Sequence, residues 1–278
     1  MIAALMMLAS LAGPAGAPAP TQKQTQYEVY AIRYATIPGF KVSGLIDGAD
    51  PERRIDIAMM VWLIRGNGRN VLVDSGFYRP SIFKSWKVDS FVRPDEAVAR
   101  AGVKPEEVTD VILTHAHWDH AGGAELFPKA QIWIQKDEYQ YYTVDAWKPD
   151  GKHGGIDRED MNFLERANKE GRLHLVDGDR EILPGIRVYT GGRHTYASQY
   201  VSVDGKPGTI VLASDNMYLY ENLEKHVPIA QTFDAKSNLA AQDRMKTIAG
   251  NPRLIVPGHD PLVMTRFPKV SDNVVRIE

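Results

Sequence analysis

Short apolar runs separated by turn signals follow one another from residue 27 onward. Residues 27–34 alternate between apolar and polar side chains, and residues 57–64 (IAMMVWLI) are continuously apolar. Alternation is typical of a strand with one buried face, and a short continuous run indicates a strand that is buried on both faces. The stretch RGNGR at 65–69 predicts a hairpin turn that pairs residues 70–73 back onto the second strand.

Further along the chain, predicted strands alternate with predicted helices. Helices are predicted for residues 94–101, 157–170 and 235–249; the first has Asp95 and Glu96 in its first turn, and Gly250 ends the last. The predicted strands are residues 108–113, 130–135, 173–176, 186–190, 200–203, 209–213 and 254–256. Strands that interleave with helices predict the α/β class, and we see neither a repeat nor a linker. We therefore expect one domain over residues 27–278.

The first 26 residues have a different character. Residues 2–12 form an apolar run that is too short to span a bilayer, and the small residues Ala15, Gly16 and Ala17 follow it. This pattern predicts a flexible segment that acts as a signal peptide, with a periplasmic or secreted protein as the result. A cytoplasmic tail is the alternative, because no Lys or Arg precedes the run and Pro18 would follow the cleavage point.

Composition narrows the chemistry. The 278 residues include no cysteine, which excludes disulfides, zinc–thiolate sites and cysteine nucleophiles. Any metal must therefore be held by His, Asp or Glu. The formal net charge of −2 comes without a run of like charges. We therefore predict no nucleic-acid partner, and no membrane-spanning segment is evident; a homodimer is compatible with the sequence.

Residues 114–123 read THAHWDHAGG and contain the candidate metal ligands His115, His117, Asp119 and His120. A single buried histidine is more often a hydrogen-bonded core residue than a ligand. Four polar side chains at the end of an apolar strand are costly to bury unless they are solvated or paired. His115 and His117 point the same way in an extended chain, and imidazole with carboxylate is the ligand set that zinc prefers without thiolate. We therefore expect a metal site here.

Three further candidates each follow a predicted strand directly. They are His194 in TGGRHTYASQ, Asp215 in VLASDNMY and His259 in PGHD. Sites in α/β proteins gather where strands end, so we expect these side chains to converge with the first four.

These residues resemble the metallo-β-lactamase superfamily of hydrolases, whose HxHxDH motif and later His, Asp and His they match. The resemblance implies an αββα sandwich and two divalent metal ions, with zinc preferred. It assigns one metal to His115, His117 and His194, the other to Asp119, His120 and His259, and a bridging role to Asp215. The VLVDSG stretch at 71–76 is similar to an early strand and turn of the family, which implies that Asp74 orients the ligand loops. A turn-forming Asp is the alternative for Asp74.

Among the branches of the superfamily, the chain is most similar to N-acyl homoserine lactone lactonases. The stretch SDNMYLYENLEKHVPIAQTFD, followed by a helix and PGHD, carries this resemblance. It implies ring opening of a lactone by a metal-bridging hydroxide, with Asp119 and Tyr218 as catalytic residues. Tyr218, three residues after Asp215, would donate a hydrogen bond to developing negative charge; the alternative is a packing tyrosine.

Other branches fit less well. The chain lacks the thiolate of the cysteine-ligand β-lactamases, and only 19 residues follow His259, too few for the helical domain of glyoxalase II enzymes. The stretch GGRHTYASQY departs from the usual GHTPGHQS loop of the family, so other substrates are also compatible with the sequence. Hydrolysis of another ester, a β-lactam or an organophosphate triester is therefore one alternative. A non-catalytic, metal-stabilised binding protein is the other.

The aromatic segment, residues 77–91 (FYRPSIFKSWKVDSF), has no clear helical or strand period. It follows the Asp74 turn, so it is predicted to border the metal site. Small-molecule pockets are mostly apolar with a few polar groups. We expect Phe83 and Trp86 to form a wall for an acyl chain; the alternative is that these aromatic side chains only pin a loop to the core.

Overall fold

The computed structural model describes residues 26–278, and the predicted signal peptide lies outside the described residues apart from Gln26. The strands are β1 Glu28–Lys41, β2 Arg54–Gly66, β3 Arg69–Val73, β4 Asp110–Ile112, β5 Gln131–Gln135, β6 Leu173–Val176, β7 Arg180–Leu183, β8 Ile186–Thr190, β9 Gln199–Gly205, β10 Gly208–Ser214, β11 Ile255–Pro257, β12 Lys269–Ser271 and β13 Val274–Arg276. The helices are α1 Pro80–Ser85, α2 Pro94–Arg100, α3 Trp118–Ala121, α4 Lys136–Thr143, α5 Arg158–Lys169, α6 Tyr220–Lys225, α7 Ala235–Ala249 and α8 Val263–Arg266.

These strands form two sheets that pack face to face. The first has eight strands in the order β12-β13-β1-β2-β3-β4-β5-β6, and the second has five in the order β11-β10-β9-β8-β7. Strand β2 shows why its sequence is apolar without interruption. Met60, Trp62 and Ile64 point into the core between the sheets, whereas Met59 and Val61 point to the outer core under the helices. Both faces of the strand are buried, as the sequence predicted.

Helices cover the outer face of each sheet. Met161 and Leu164 of α5 lie in the outer core of the first sheet. Met245 of α7 packs with Tyr200 and Val211 on the outer face of the second. The result is the αββα sandwich that the sequence predicted. No helix within residues 26–278 has the length and apolar character needed to cross a membrane.

Most of the predicted elements are confirmed. The predicted helix at 235–249 has the bounds of α7, and the predicted hairpin is present, with Asn67 and Gly68 at φ of 52° and 71°. Other predictions were wrong in extent: β4 spans three residues instead of six, and β1 runs on to Lys41. The aromatic segment, whose sequence shows no clear helical or strand period, contains the short helix α1. Helix α4 and strands β7, β12 and β13 were not predicted.

Strand direction brings the functional loops together. Strands β3 and β4 of the first sheet are parallel. In the second sheet β8 and β10 are each antiparallel to β9, and β11 is parallel to β10. Strands β8, β10 and β11 therefore run in the same direction, and their carboxyl ends meet at one edge of the sheet.

Candidate metal centre

Loops at the carboxyl ends of four strands carry the candidate ligands. His115 and His117 follow β4, and His117 is the residue that precedes α3. Asp119 and His120 lie in that one-turn helix, while His194, Asp215 and His259 follow β8, β10 and β11. Gly123 lets α3 approach the end of β3, because a Cβ atom at this position would clash with the carbonyl oxygen of Ser75.

The structure brings all seven predicted ligands together in two groups. The first comprises His115, His117, His194 and Asp215, and the second comprises Asp119, His120 and His259; within each group the ligand atoms lie within 4.8 Å of one another. In the first group, His117 Nδ1 lies 3.1 Å from His115 Nε2 and 2.9 Å from His194 Nε2. In the second, Asp119 Oδ2 lies 3.4 Å from His120 Nε2 and 3.7 Å from His259 Nε2.

Asp215 lies between the two groups and turns one oxygen toward each. Its Oδ2 is 3.3 Å from His194 Nε2, on the side of the first group. Its Oδ1 is 3.0 Å from His259 Nε2 and 3.3 Å from His120 Nε2, on the side of the second. A Cβ atom on Gly258 would lie 2.7 Å from Oδ1, so the bridging position requires glycine there. This is the arrangement that a carboxylate shared by two metals needs.

Hydrogen bonds on the far side of the rings fix their orientation. His194 Nδ1 lies 2.7 Å from the Gln231 carbonyl oxygen, and His259 Nδ1 lies 3.1 Å from that of Ala58. A carbonyl oxygen only accepts, so each Nδ1 donates, and Nε2 is the ring atom that points to the centre. These partners are backbone atoms, and no feature of the sequence could have identified them.

Asp74 has the contacts that an orienting role requires. It lies at the end of β3 in the left-handed region, with φ of 58°, and is fully buried. Its carboxylate accepts hydrogen bonds from the Thr114 N–H at 2.8 Å and from the Ser214 hydroxyl at 2.9 Å. It also lies 2.8 Å from His120 Nδ1. One carboxylate thus links three strand ends to a candidate ligand. Thr114 and Ser214 were missed in the sequence, where each only precedes a ligand.

Charge in the centre is unevenly distributed. Burial lowers the pKa of His117 to about 3, and His194 adds to this effect. Burial also lowers the pKa of His120, but the carboxylates of Asp215, Asp119 and Asp74 outweigh it and raise that pKa well above its usual range. The first group therefore offers neutral imidazoles, and the carboxylates around the second favour a positive charge.

The residues present fit divalent metals. Two buried atoms at the centre, His120 Nε2 and Asp215 Oδ1, make no hydrogen bond of acceptable geometry among the described residues, although Oδ1 lies 3.0 Å from His259 Nε2. Such atoms are costly to bury unless a cation or a donor satisfies them. Five imidazoles and two carboxylates without thiolate are also a donor set that suits zinc and similar divalent ions.

A cavity of about 230 Å³ opens onto the centre. Asp119, Asp215, His259 and Tyr218 line its polar end. The Tyr218 hydroxyl lies 3.3 Å from His194 Nδ1. Burial raises the pKa of Tyr218 well above its usual range, and the Asp215 and Asp119 carboxylates add to this effect, so the phenol keeps its proton. Tyr218 is therefore a hydrogen-bond donor at the mouth of the candidate centre.

The other end of the cavity is apolar. Its lining includes Ile37, Phe40, Leu45, Ile57, Met59, Trp86 and Trp118. Trp86 stacks between Phe40 and Trp118, with ring centroids at 5.9 Å and 5.6 Å. Phe83 does not line this cavity; its ring packs against Phe77 and Phe91, at 5.7 Å and 4.7 Å. Of the two predicted wall residues, the structure places only Trp86 at the cavity. The β1–β2 side of the wall was missed, because residues 57–64 were interpreted as a buried strand and residues 37–45 were assigned no role.

Known proteins are similar to this chain in sequence and in fold. A model of the metallo-beta-lactamase superfamily matches residues 60–259. An N-acyl homoserine lactonase from Bacillus cereus is 28% identical over 231 residues, which cover 76% of this chain and 84% of the relative. One from Bacillus sp is 26% identical over 225 residues, with the same coverage of each chain.

Solved structures agree on the architecture. An N-acyl homoserine lactone hydrolase with the product N-hexanoyl-L-homoserine bound at its catalytic metal centre has a TM-score of 0.71 with this chain. The identity is 20%, and the match covers 89% of this chain and 98% of that one, which shows a common fold. The family model spans most of the chain and all seven candidate ligands. The chain therefore belongs to the metallo-beta-lactamase superfamily.

Proposed function

We propose that this protein is a metal-dependent hydrolase that opens the ring of N-acyl homoserine lactones. The observation that carries the proposal is the position of Asp215, whose two oxygens face two separate groups of ligands beside an apolar cavity. The two relatives described above, each matched over 84% of its length, are N-acyl homoserine lactonases. We also propose zinc as the bound metal, because the donors are imidazole and carboxylate.

The residues at the centre would have separate roles in ring opening. The two groups of ligands would hold two divalent metals, which would supply Lewis-acid polarisation of a carbonyl group and hydroxide near neutral pH. The Tyr218 hydroxyl donates a hydrogen bond to the carbonyl or ring oxygen as negative charge develops on it. Asp119 lines the cavity, and although burial raises its pKa, His120 and His259 outweigh this and lower it. Its ionised carboxylate is placed to accept the proton of the attacking hydroxide and to pass it to the ring oxygen as the ester bond breaks.

The cavity matches the two ends of such a substrate. A lactone ring needs polar contacts, which the metal ligands and Tyr218 provide. An acyl chain needs an apolar wall, which the stack of Phe40, Trp86 and Trp118 provides. A short hydrophilic ester would gain nothing from that wall.

A substrate panel on metal-loaded protein tests the proposal. We expect kcat/KM for ring opening of N-acyl homoserine lactones to be higher than kcat/KM for hydrolysis of an unsubstituted lactone, a cephalosporin or an organophosphate triester. Faster turnover of the cephalosporin or the triester would assign the protein to another hydrolase class. No turnover of any member would favour the non-catalytic, metal-stabilised binding protein.

Replacing Trp86 with alanine should flatten the dependence of catalytic efficiency on acyl length. Each methylene buried against an apolar wall stabilises the complex by up to about 0.8 kcal/mol, or about fourfold in kcat/KM. We expect the parent enzyme to gain efficiency with each added methylene until the cavity is full, and the variant to gain much less. The measurement is kcat/KM across lactones with acyl chains of increasing length.

Phe83→Ala is the matched control, since Phe83 lies on the same segment but does not line the cavity. It should leave the slope against acyl length unchanged. A flat profile in the parent enzyme would count against the acyl wall. An equal change of slope in both variants would mean that the whole segment, not Trp86, contacts the substrate.

A further inference from the structure

A fully buried carboxylate lies behind the first group of ligands. Glu138, in α4, has no exposed surface. Its Oε1 accepts hydrogen bonds from the Ala116 N–H at 2.9 Å and from the Thr195 hydroxyl at 2.6 Å. Its Oε2 accepts one from the Ala197 N–H at 2.6 Å. All three bonds go to two loops that carry metal-ligand candidates.

Two of these donors belong to residues that are adjacent in the chain to candidate metal ligands. Ala116 separates His115 from His117, and Thr195 directly follows His194. We propose that Glu138 is a positioning residue that ties these two loops together, so that the three imidazoles of the first group meet around one metal. The inference rests on the metal centre of the proposed function but not on the identity of the substrate.

The chemistry of the contact favours a carboxylate over any other side chain. Three donors converge on Glu138, and a carboxylate accepts through both oxygens, whereas an amide offers one oxygen and places an N–H₂ group at the other position. No Lys or Arg among residues 26–278 pairs with Glu138. Burial raises the pKa of Glu138 to about 7, so an ionised carboxylate is costly there. The fold alone would be served more cheaply by an apolar residue.

The loop that Glu138 holds is also strained. Arg193, directly before His194, has φ of 54°, which is unfavourable for a side chain of its size. Such a conformation persists only when the surroundings fix it. A second residue of α4 contributes, since the Tyr142 hydroxyl accepts a hydrogen bond from the Tyr196 N–H at 3.3 Å. Helix α4 therefore acts as a support for the His194 loop.

The second group of ligands is held by different partners. His120 is oriented by Asp74 and His259 by the Ala58 carbonyl group. Removing an acceptor at Glu138 should therefore disturb one metal position and spare the other. If Glu138 had a purely structural role, its replacement would lower the stability of the whole fold and would not weaken metal binding at one position more than at the other.

The test is metal retention by Glu138→Gln in competition with a chelator, together with the absorption spectrum of the cobalt-substituted protein. Gln keeps the shape but turns an amide N–H₂ toward the Ala197 N–H or toward the other two donors. Loss of a residue that orients metal ligands typically weakens metal binding about 10–100-fold. We expect one of the two metals to be released at lower chelator concentration by about this factor, with a change in the cobalt spectrum of one position.

Asp110→Asn is the matched control, because Asp110 is a buried carboxylate at the far end of β4 that accepts a hydrogen bond from Trp133. It should lower the melting temperature and leave both metals in place. Retention of both metals by Glu138→Gln at parental affinity, or equal weakening of both, would overturn the inference. If parental protein binds two metals and opens no lactone, the proposed function fails while this test still stands.

A second pair of variants covers the case in which Glu138→Gln does not fold. Thr195→Val removes the hydroxyl that donates to Glu138, and Thr195→Ser keeps it. We expect Thr195→Val to weaken metal binding at the same position as Glu138→Gln, and Thr195→Ser to keep the parental metal affinity. Equal metal affinity in the Val and Ser variants would overturn the inference.

Discussion

Replacing Asp215 with alanine is expected to abolish tight metal binding at both positions and nearly all activity. One oxygen of this carboxylate faces each group of ligands, so a single substitution removes a ligand from both. The Lewis-acid contribution of such metals is worth several kcal/mol, and about 4 kcal/mol corresponds to a rate loss of roughly a thousandfold. Native mass spectrometry and lactone turnover measure the two effects on the same sample.

Asp215→Asn is the graded control for this prediction. Asparagine keeps the shape and one acceptor oxygen, so it should weaken one metal position more than the other. An alanine variant that kept two tightly bound metals and full activity would show that Asp215 bridges nothing.

Tyr218→Phe should keep both metals and lower kcat on lactones. The hydroxyl is buried beside the centre and keeps its proton, so its loss removes a hydrogen-bond donor and little volume. Loss of one such donor typically costs about 10²–10³ in rate. The loss will lie toward the lower end of this range, since the metals also polarise the carbonyl group. Steady-state kinetics and metal analysis of the variant check both parts.

The result that decides the role of Tyr218 is whether kcat falls while the metal content of the variant stays unchanged. An unchanged rate on fast and slow lactones alike would return Tyr218 to a packing role. A loss of metal in step with the loss of rate would mean instead that the hydroxyl supports the His194 ring, from which it lies 3.3 Å away.

The sequence predicted those parts of the fold whose pattern reflects their burial. Strand β2 was predicted because both of its faces are buried, so the run at 57–64 is apolar throughout. Helix α4 was not predicted, since KDEYQYYT has no apolar stripe. Its inward side chains include Glu138 and Tyr142, which make polar contacts with the His194 loop. A helix that packs through hydrogen bonds leaves no hydrophobic period to detect.

The sequence likewise predicted only part of the candidate site. All seven candidate ligands were predicted, because His and Asp directly after apolar strands are hard to explain as core. The groups that orient them could not be found, because Ala58 and Gln231 contribute only backbone oxygens. Glu138 follows Lys136 and Asp137 in a polar stretch whose side chains are expected to face solvent. Its role depends on two loops that are distant in the chain and close only in the folded protein.

The most direct test of the central claim is a metal titration of chelated protein, with bound metal and ring opening of a long-chain N-acyl homoserine lactone measured on each sample. The account predicts that chelation abolishes turnover and that turnover returns as bound metal rises to two per chain. Two bound metals per chain with no ring opening of any N-acyl homoserine lactone, or undiminished turnover without metal, would contradict it.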